Sequence, residues 1–344
     1  MKQHHRNVAN TLALIAGVIA TPAALAQDPD ARWYRVELLV FSHEGSAAAT
    51  SEAWDPRPPL DYPETFRFLR HPDREQANLE AWPGAESDIS ELGIQTITVP
   101  EPPSGDDEPE DRLAAEDIPA AGDVVDPNDA IAEEEEAIPL RPTPWIARPA
   151  GEREFRGKAA YLQRTGRYQP LFHETWLQPM ASEADNIPIV IDRSGDQQSW
   201  PELQGSVRLY LSRYLHIETN LWLNTGGSYI PGSWAMAPPP LGPASLIVIE
   251  PVLEEDESPV TAYSSSLFND PAGLEQDPPD ANEPRGPVSP WRHAVALTEK
   301  RRMRSEEVHY LDHPMLGMVV KLTPLSEEEL EALAVAEQVA DQGT

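Results

Sequence analysis

The chain has 344 residues, of which 37 are proline and none is cysteine, and its formal net charge is −32. The missing cysteines exclude disulfide bonds and the lipid-modified cysteine of a bacterial lipoprotein. The acidic balance argues against nucleic acid as a partner, because proteins that bind phosphate backbones need a surplus of Lys and Arg.

The first 26 residues have the composition of a cleavable signal peptide. Basic residues precede an apolar run from Leu12 to Ala20, and Ala24 and Ala26 form the small-x-small pattern that precedes cleavage. The apolar run is too short to span a bilayer, and no later stretch reaches the roughly 20 apolar residues that a span needs. We therefore predict cleavage after Ala26 and a periplasmic protein without a membrane span.

The first folded block is the run WYRVELLVF, from Trp33 to Phe41. Both faces of this run are apolar, which predicts a central strand. The strand belongs to residues 27–100, the first part of a single folded domain. Residues 101–144 are dominated by Asp and Glu, and such a composition predicts a disordered acidic linker.

The second block combines a helix with a strand. Phe155, Ala159 and Leu162 recur at helical spacing before Gly166, which predicts a helix of about three turns. Alternating side chains from Tyr168 to Gln178 then predict a strand.

The third block has the clearest strand pattern in the chain. Val207 and Leu209 alternate with Arg208 and Tyr210, so that the two pairs face opposite sides of a sheet. We predict a tight reversal at Glu218 to Asn220, because this polar stretch interrupts the apolar pattern.

The last block predicts a hairpin followed by a helix. Alternation continues from Arg304 to Tyr310, a turn is expected at Asp312 to Pro314, and the chain returns through Leu322. Ser326 and Glu329 have the spacing of a capping box, which predicts the start of a short helix.

These blocks together predict one α+β domain. Its main part is residues 145–325, with loops rich in Pro and Asp at 230–244 and 252–290, and residues 326–344 form a C-terminal helical tail. Strands joined by reversals predict a mainly antiparallel β-sheet with one or two packing helices and long disordered acidic and proline-rich insertions.

Motifs for nucleophilic catalysis, phosphate binding and zinc proteases are absent from the sequence. His309, Asp312 and His313 are metal-ligand types within five residues. On a strand, however, the two histidines would lie about 13 Å apart. We therefore expect Asp312 and His313 to cap a turn, and we predict no metal, cofactor or catalytic residue.

Two basic clusters interrupt the acidic chain, since residues 147–168 and 292–304 each carry a local charge of +4. Arginine and tyrosine together suit an anionic ligand that also carries sugars. The alternative is that these arginines pair with neighbouring acids. Our hypothesis places a ligand site on one sheet face that carries Arg208, Tyr210, Arg302, Arg304 and Tyr310.

Four blocks in this order, WYRVELLVF, LQRTGRYQPLFHETWLQP, LQGSVRLYLSRYLHIETNLWL and RRMRSEEVHYLDHPMLGMVVKL, resemble the CsiV family of periplasmic peptidoglycan-binding proteins. The resemblance implies a non-enzymatic protein that binds the cell-wall polymer. It also implies support of peptidoglycan assembly by a penicillin-binding synthase through an outer-membrane lipoprotein activator. The resemblance assigns no role to the individual motif residues, which are His173, Trp176, Arg213, Tyr214, His216, His309, Asp312 and His313.

Two other classes of function stay open at this point. One is an envelope adaptor that binds another protein through the acidic segment. The other is a wall hydrolase with an unrecognised pair of carboxylates.

Overall fold

A computed structural model describes residues 31–43, 54–100, 139–251 and 288–341 of the chain. The predicted signal peptide lies outside the described residues. So do residues 101–138 of the predicted acidic linker and residues 252–287 of the second predicted loop.

The described residues form three β-sheets and four α-helices. The strands are β1 (Trp33–His43), β2 (Arg67–Phe68), β3 (Glu86–Ile89), β4 (Gln95–Thr98), β5 (Tyr168–Pro179), β6 (Ile189–Val190), β7 (Leu203–Leu211), β8 (Leu215–Thr225), β9 (Leu246–Ile249), β10 (His293–Met303), β11 (Val308–Asp312) and β12 (Leu316–Pro324). The helices are α1 (Pro72–Glu80), α2 (Arg156–Thr165), α3 (Ser194–Gln197) and α4 (Glu327–Asp341).

The first sheet has the strand order β11-β12-β1-β5 and is antiparallel throughout. Strand β1 is central, as its two apolar faces predict. Its inner face, with Val36, Leu38 and Val40, belongs to the main core. Its outer face carries Trp33 and Leu39, which are also buried.

The second sheet has the order β10-β8-β7-β6-β2 and packs its inner face against the inner face of the first sheet. Val207, Ile217 and Leu297 contribute to the shared core from β7, β8 and β10. The two large sheets therefore form a sandwich with one core, and each sheet has one outer face. A small third sheet of order β3-β4-β9 completes the described strands.

Two helices cover the outer face of the first sheet. Helix α2 places Ala159 and Leu162 beside Leu39 and Phe41. Helix α4 packs Leu330 on Trp33 and Leu177. At the outer face of the second sheet, the one-turn helix α3 contacts β7, where Ser194 Oγ accepts a hydrogen bond from Gln204 Nε2 at 3.0 Å.

Residues 54–63 pass the edge strand β10 and reach the outer face of the second sheet. The side chain of Asn220 donates a hydrogen bond to Asp61 O at 2.8 Å, and His293 Nε2 donates to Asp55 O at 2.8 Å. This segment leaves grooves beside it, and these grooves hold the candidate site.

The structure confirms the α+β fold and its mainly antiparallel sheets. Parallel pairing occurs between β2 and β6 and between β4 and β9. Gly166 ends α2 in the left-handed conformation. The capping box at the start of α4 is formed, because Ser326 and Glu329 exchange hydrogen bonds.

Two expectations about turns are wrong. Glu218 to Asn220 do not reverse the chain but lie inside β8, whose turn to β7 is at Ser212 to Tyr214. Residues 304–306 are a turn rather than a strand, with Glu306 at φ 64°, and the strand before them is β10. Glu218 and Asn220 lie on the outer face of β8, while Thr219 is buried. Polarity alone does not distinguish a strand with a polar outer face from a turn.

None of the helices in the described ranges is long and apolar enough to cross a membrane.

Candidate functional site

Three neighbouring strands build the outer face of the second sheet. Directly opposed residues of antiparallel strands have side chains on the same side. The register of β7, β8 and β10 therefore forms two rows across the face, Arg208–Glu218–Lys300 and Tyr210–His216–Arg302.

Glu218 is the centre of the first row. Its carboxylate accepts hydrogen bonds from Arg208 at 2.5 Å and from the hydroxyl of Tyr210 at 3.0 Å, and it pairs with Lys300 at 2.9 Å. Partial burial opposes ionisation, but the hydrogen bonds from Lys300, Arg208 and Tyr210 outweigh it and lower the pKa of Glu218. The bases of this row are thus held by an ionised carboxylate.

Lys300 also reaches Glu183, whose Oε1 is 2.7 Å from its amine. Hydrogen bonds to Glu183 and then to Tyr210 and Glu218 raise the pKa of Lys300. The first row is therefore an ion-pair network with little unmatched charge.

The second row is aromatic and less completely paired. The ring of Tyr210 is fully buried and stacks on His216, with ring centroids 5.1 Å apart and an interplanar angle of 13°. Burial raises the pKa of Tyr210. Beyond this stack, the guanidinium of Arg302 lies 4.3 Å from the ring centroid of Tyr214.

The turn between β7 and β8 supplies a second arginine beside this row. Arg213 places its guanidinium 5.5 Å from the centroid of the same Tyr214 ring, and Tyr214 is 42% exposed. Within the described parts of the chain, no carboxylate lies within ion-pair distance of Arg213 or Arg302, in contrast to Arg208. We call Arg213, Tyr214 and Arg302 the arginine edge.

A polar groove of about 640 Å³ lies between this face and the segment of residues 54–63. Asp61 and Pro63 line one side of it, and Arg208, Asn220 and Lys300 line the other. We call it the charged groove. Its lining on β10 is Thr298 to Lys300, and Lys300 is two residues before Arg302 of the arginine edge.

The five residues predicted as a ligand site do not all share one face. Arg208, Tyr210 and Arg302 do lie on the outer face of the second sheet. The expectation is wrong for Tyr310, which stacks on Phe41 at 6.4 Å on the outer face of the first sheet. The two sheets pack through their inner faces, so Tyr310 lies on the opposite side of the sandwich.

Arg304 follows the end of β10 and is exposed. Its guanidinium is 3.3 Å from Glu307, and its backbone N–H donates to His309 Nε2 at 3.0 Å. Arg304 is therefore close in sequence to the arginine edge but belongs to the turn before β11. Its pairing with Glu307, three residues away, agrees with the alternative expectation that these arginines pair with neighbouring acids.

Among the motif residues, His173 and Trp176 lie on β5 and are held by internal contacts. His173 Nε2 donates to the buried Glu37 at 2.8 Å, and Trp176 Nε1 donates to Gln178 at 2.7 Å. Trp176 is fully buried in the main core. Both residues therefore have a structural role in the first sheet.

The side chains considered for a metal site are held by other protein groups instead of converging on one point. Asp312 accepts a hydrogen bond from the hydroxyl of Tyr310 at 2.6 Å, and His313 Nδ1 accepts one from Met315 N at 3.3 Å. His313 thus caps the turn, as expected, whereas the carboxylate of Asp312 binds the Tyr310 hydroxyl instead of the backbone of the turn. The described residues contain no group of three His, Cys, Asp or Glu side chains that could hold a metal ion.

The sequence patterns miss Glu218, the partner of Arg208 and Lys300, because they assign it to a turn. They also pass over Trp54, which lies in a proline-rich loop and lines a second groove together with His293. Arg213 and Tyr214 are identified only as motif residues. The turn between β7 and β8 can be recognised in the sequence, because the run Ser212 to Tyr214 interrupts the regular alternation of apolar and polar residues in β7.

Comparison with known proteins adds an independent finding. A family model described as the peptidoglycan-binding protein CsiV matches residues 7–325. Neither a search of curated proteins nor a search of solved structures gave a match. The matched range includes both large sheets and the whole candidate site. This chain therefore belongs to the CsiV family of peptidoglycan-binding proteins.

Proposed function

We propose that this chain is a non-enzymatic periplasmic protein that binds peptidoglycan through the arginine edge. In this proposal it supports wall assembly by a penicillin-binding synthase and its outer-membrane lipoprotein activator. The part played by these two partners rests on the family resemblance alone.

The observation that carries the proposal is the pairing state of the basic residues. Arg208 and Lys300 are held by Glu218, whereas Arg213 and Arg302 share an exposed tyrosine ring and have no carboxylate partner within the described chain. Peptidoglycan carries carboxylates on its stem peptides. A guanidinium binds a carboxylate through two parallel hydrogen bonds, so the two free arginines suit this ligand.

The chemistry of Glu218 supports a binding role rather than hydrolysis. A glycosidase needs one carboxyl group with a raised pKa as general acid and a second as base or nucleophile. Glu218 has a lowered pKa and is occupied by three donors. The central carboxylate of this face therefore lacks the property that a general acid requires.

The proposal is tested with the double variant Arg213→Glu, Arg302→Glu. Sedimentation of the full-length mature protein with purified sacculi should weaken at least about tenfold, since a hydrogen bond to a charged group contributes about 1.5–3 kcal/mol. Unchanged sedimentation would exclude the arginine edge from the binding site.

The matched control is Arg156→Glu, Arg164→Glu, which makes the same change of charge on α2. Both arginines are exposed and lie on the opposite side of the sandwich, so this variant should bind sacculi as the wild type does. An equal loss in both variants would point to net charge instead of the arginine edge. Release of soluble muropeptides by the pure protein would contradict the non-enzymatic role.

A further inference from the structure

A second groove continues the charged groove toward the start of β10. It has a volume of about 360 Å³ and shares Pro59 and Thr298 with the charged groove. Its other walls come from residues 54–58, from the first half of β10, and from His313 in the β11–β12 turn. We call it the aromatic groove.

Aromatic rings gather at this groove. The ring of Trp54 lies 5.7 Å from Tyr229 and 5.6 Å from His313, measured between centroids. Trp54, His293 and His313 line the groove itself. Tyr229 and Trp234 are outside this lining but contact it, with Trp234 6.1 Å from His293 and 37% exposed. The lining thus offers rings whose bodies are apolar and whose edges carry polar atoms.

These rings are held in place by hydrogen bonds. His293 Nε2 donates to Asp55 O, and its Nδ1 lies 2.8 Å from the hydroxyl of Tyr229. That hydroxyl is also 2.9 Å from Thr225 Oγ1. A ligand would therefore meet a site that is already ordered, which lowers the entropic cost of binding.

The aromatic groove is nearly free of charge. Lysine, arginine and glutamate are absent from its described lining, and the carboxylate of Asp55 accepts the backbone N–H of Arg57 at 2.9 Å. Burial, assisted by nearby His43, lowers the pKa of His313, which favours the uncharged ring. The charged groove next to it, with Arg208, Glu218 and Lys300, has the opposite character.

We propose that the aromatic groove binds the glycan strand of peptidoglycan. A pyranose ring exposes C–H groups on its faces and hydroxyl groups around its edge, which matches aromatic rings interspersed with polar atoms. The sugar backbone is neutral where its lactyl groups are linked to peptides, which matches a groove with little charge. This inference rests on the proposed function. It assigns the sugar strand of the polymer to the aromatic groove, beside the peptide carboxylates assigned to the arginine edge.

The layout along β10 allows both parts of the polymer to bind one molecule. The aromatic groove lies beside His293 to Thr298, the charged groove beside Thr298 to Lys300, and the arginine edge at Arg302. At about 3.4 Å per residue, this path is about 30 Å long. Sugars at one end and peptide carboxylates at the other would fix the direction of the strand on the protein.

The test uses two probes: free stem peptides, and peptide-free glycan strands prepared from sacculi with an amidase and then amidated, so that the freed lactyl carboxylates carry no charge. We expect the wild-type protein to bind the peptide-free strands. The variant Trp54→Ala, Trp234→Ala should bind them about tenfold more weakly, a loss of about 1.4 kcal/mol. The arginine-edge variant should keep glycan binding and lose stem-peptide binding.

Tyr161→Ala is the matched control, because Tyr161 is an aromatic residue that is 62% exposed on α2, on the other side of the sandwich. It should leave binding of both probes unchanged. If the wild type sediments with sacculi but does not bind peptide-free strands, the inference is overturned and the proposed function stands. If the wild type does not sediment with sacculi, the proposed function is overturned, and the inference that rests on it is overturned as well.

A second measurement does not depend on the folding of variants. Indole N–H signals of the wild-type protein can be followed by NMR while peptide-free strands are added. The signals of Trp54 and Trp234 should shift, and that of the fully buried Trp176 should not. Shifts that leave out Trp54 and Trp234 would place the sugars elsewhere and overturn the inference.

Discussion

Glu218 determines which basic side chains of the second sheet stay available to a ligand. It lies between Arg208 and Lys300 in the register and binds both of them. The row beyond it has His216 at the corresponding position of β8, and an imidazole does not hold Arg302 in the same way. A single residue thus separates a paired row from a row that ends in free arginine.

Glu37 has a comparable position in the first sheet but serves the fold. Its buried carboxylate accepts hydrogen bonds from the backbone N–H groups of Glu154 and Phe155 and from His173. Glu154 and Phe155 immediately precede α2, so that Glu37 fixes the start of this helix on the sheet.

Replacing Glu37 by Gln should destabilise the protein. One of the two carboxylate oxygens becomes an NH₂ group, which then faces a backbone or imidazole donor at a site only 4% exposed. We expect a loss of about 1.5–3 kcal/mol in the free energy of unfolding, the usual range for hydrogen bonds to charged groups. Urea denaturation followed by circular dichroism measures it.

Glu154→Gln is the control for this prediction. Glu154 pairs with Lys321 at 2.7 Å on the surface, and exposed pairs contribute about 0–1 kcal/mol. Equal stability of the two variants would mean that the buried contacts of Glu37 contribute no more than a surface ion pair.

At the residue scale, the sequence identifies basic candidates for the ligand site but not their partners, nor in every case their strands. Arg302 can be identified from a charge cluster, although its strand β10 is not predicted. The pairing of Arg208 with Glu218 cannot be found in this way, because it depends on the register between β7 and β8. The position of Tyr310 is mispredicted for a related reason, since alternation within one strand does not say which sheet the strand joins.

Strands β7 and β8 form the element on which the whole site depends. Their close approach requires Gly205, which has φ 117° and lies opposite Leu221. A Cβ atom at this position would lie 2.1 Å from the carbonyl oxygen of Asn220. The contact is with a backbone atom, so that neither strand can relieve it by rotating a side chain.

Gly205→Ala should therefore reduce the free energy of unfolding by at least about 2 kcal/mol, because strained backbone conformations alone cost about 1–3 kcal/mol. Binding of sacculi by the folded fraction should fall as well, since Asn220 and the rows beside it must move. Thermal denaturation and sacculus sedimentation test the two effects.

Gly157→Ala gives the opposite expectation with the same change of one methyl group. Gly157 lies in α2, and a Cβ atom added there would meet no atom within 4 Å outside its own helix. Alanine stabilises a helix interior by about 0.5–1 kcal/mol relative to glycine. If both substitutions lowered stability equally, the close approach at Gly205 would not be its cause.

The elements themselves are largely predictable where a strand shows regular alternation or two apolar faces. These patterns identify β1, β5, β7 and the return strand of the β11–β12 hairpin. Strand β10 escapes recognition, because its outer face changes from small to basic residues and its sequence ends in RRM. The division into two packed sheets is also not predictable in this way, since it depends on contacts between residues far apart in the chain.

The whole molecule has two different outer faces. Helices α2 and α4 cover the first sheet, and the second sheet presents the arginine edge with the two grooves. The exposed arginines of α2 show that basic residues also occur on the covered side. Peptidoglycan binding therefore depends both on local contacts of the arginine edge and on the electrostatic field of the whole protein.

Salt should separate these two contributions to binding, because they have opposite signs and different ranges. The chain carries −32 and approaches an anionic polymer, so long-range repulsion acts over a Debye length of about 30 Å at 0.01 M salt and about 10 Å at 0.1 M. Contacts of Arg213 and Arg302 act over a few ångströms and weaken mainly as the Debye length nears about 3 Å at 1 M. Sedimentation with sacculi should therefore rise from low to moderate salt and fall again toward 1 M.

Exchanging the acidic run 133–136 for glutamine removes four negative charges and should flatten the rise while leaving the fall in place. A steady decrease from the lowest salt, in the wild type and in this variant alike, would mean that attraction dominates at every distance and that the net charge does not oppose binding.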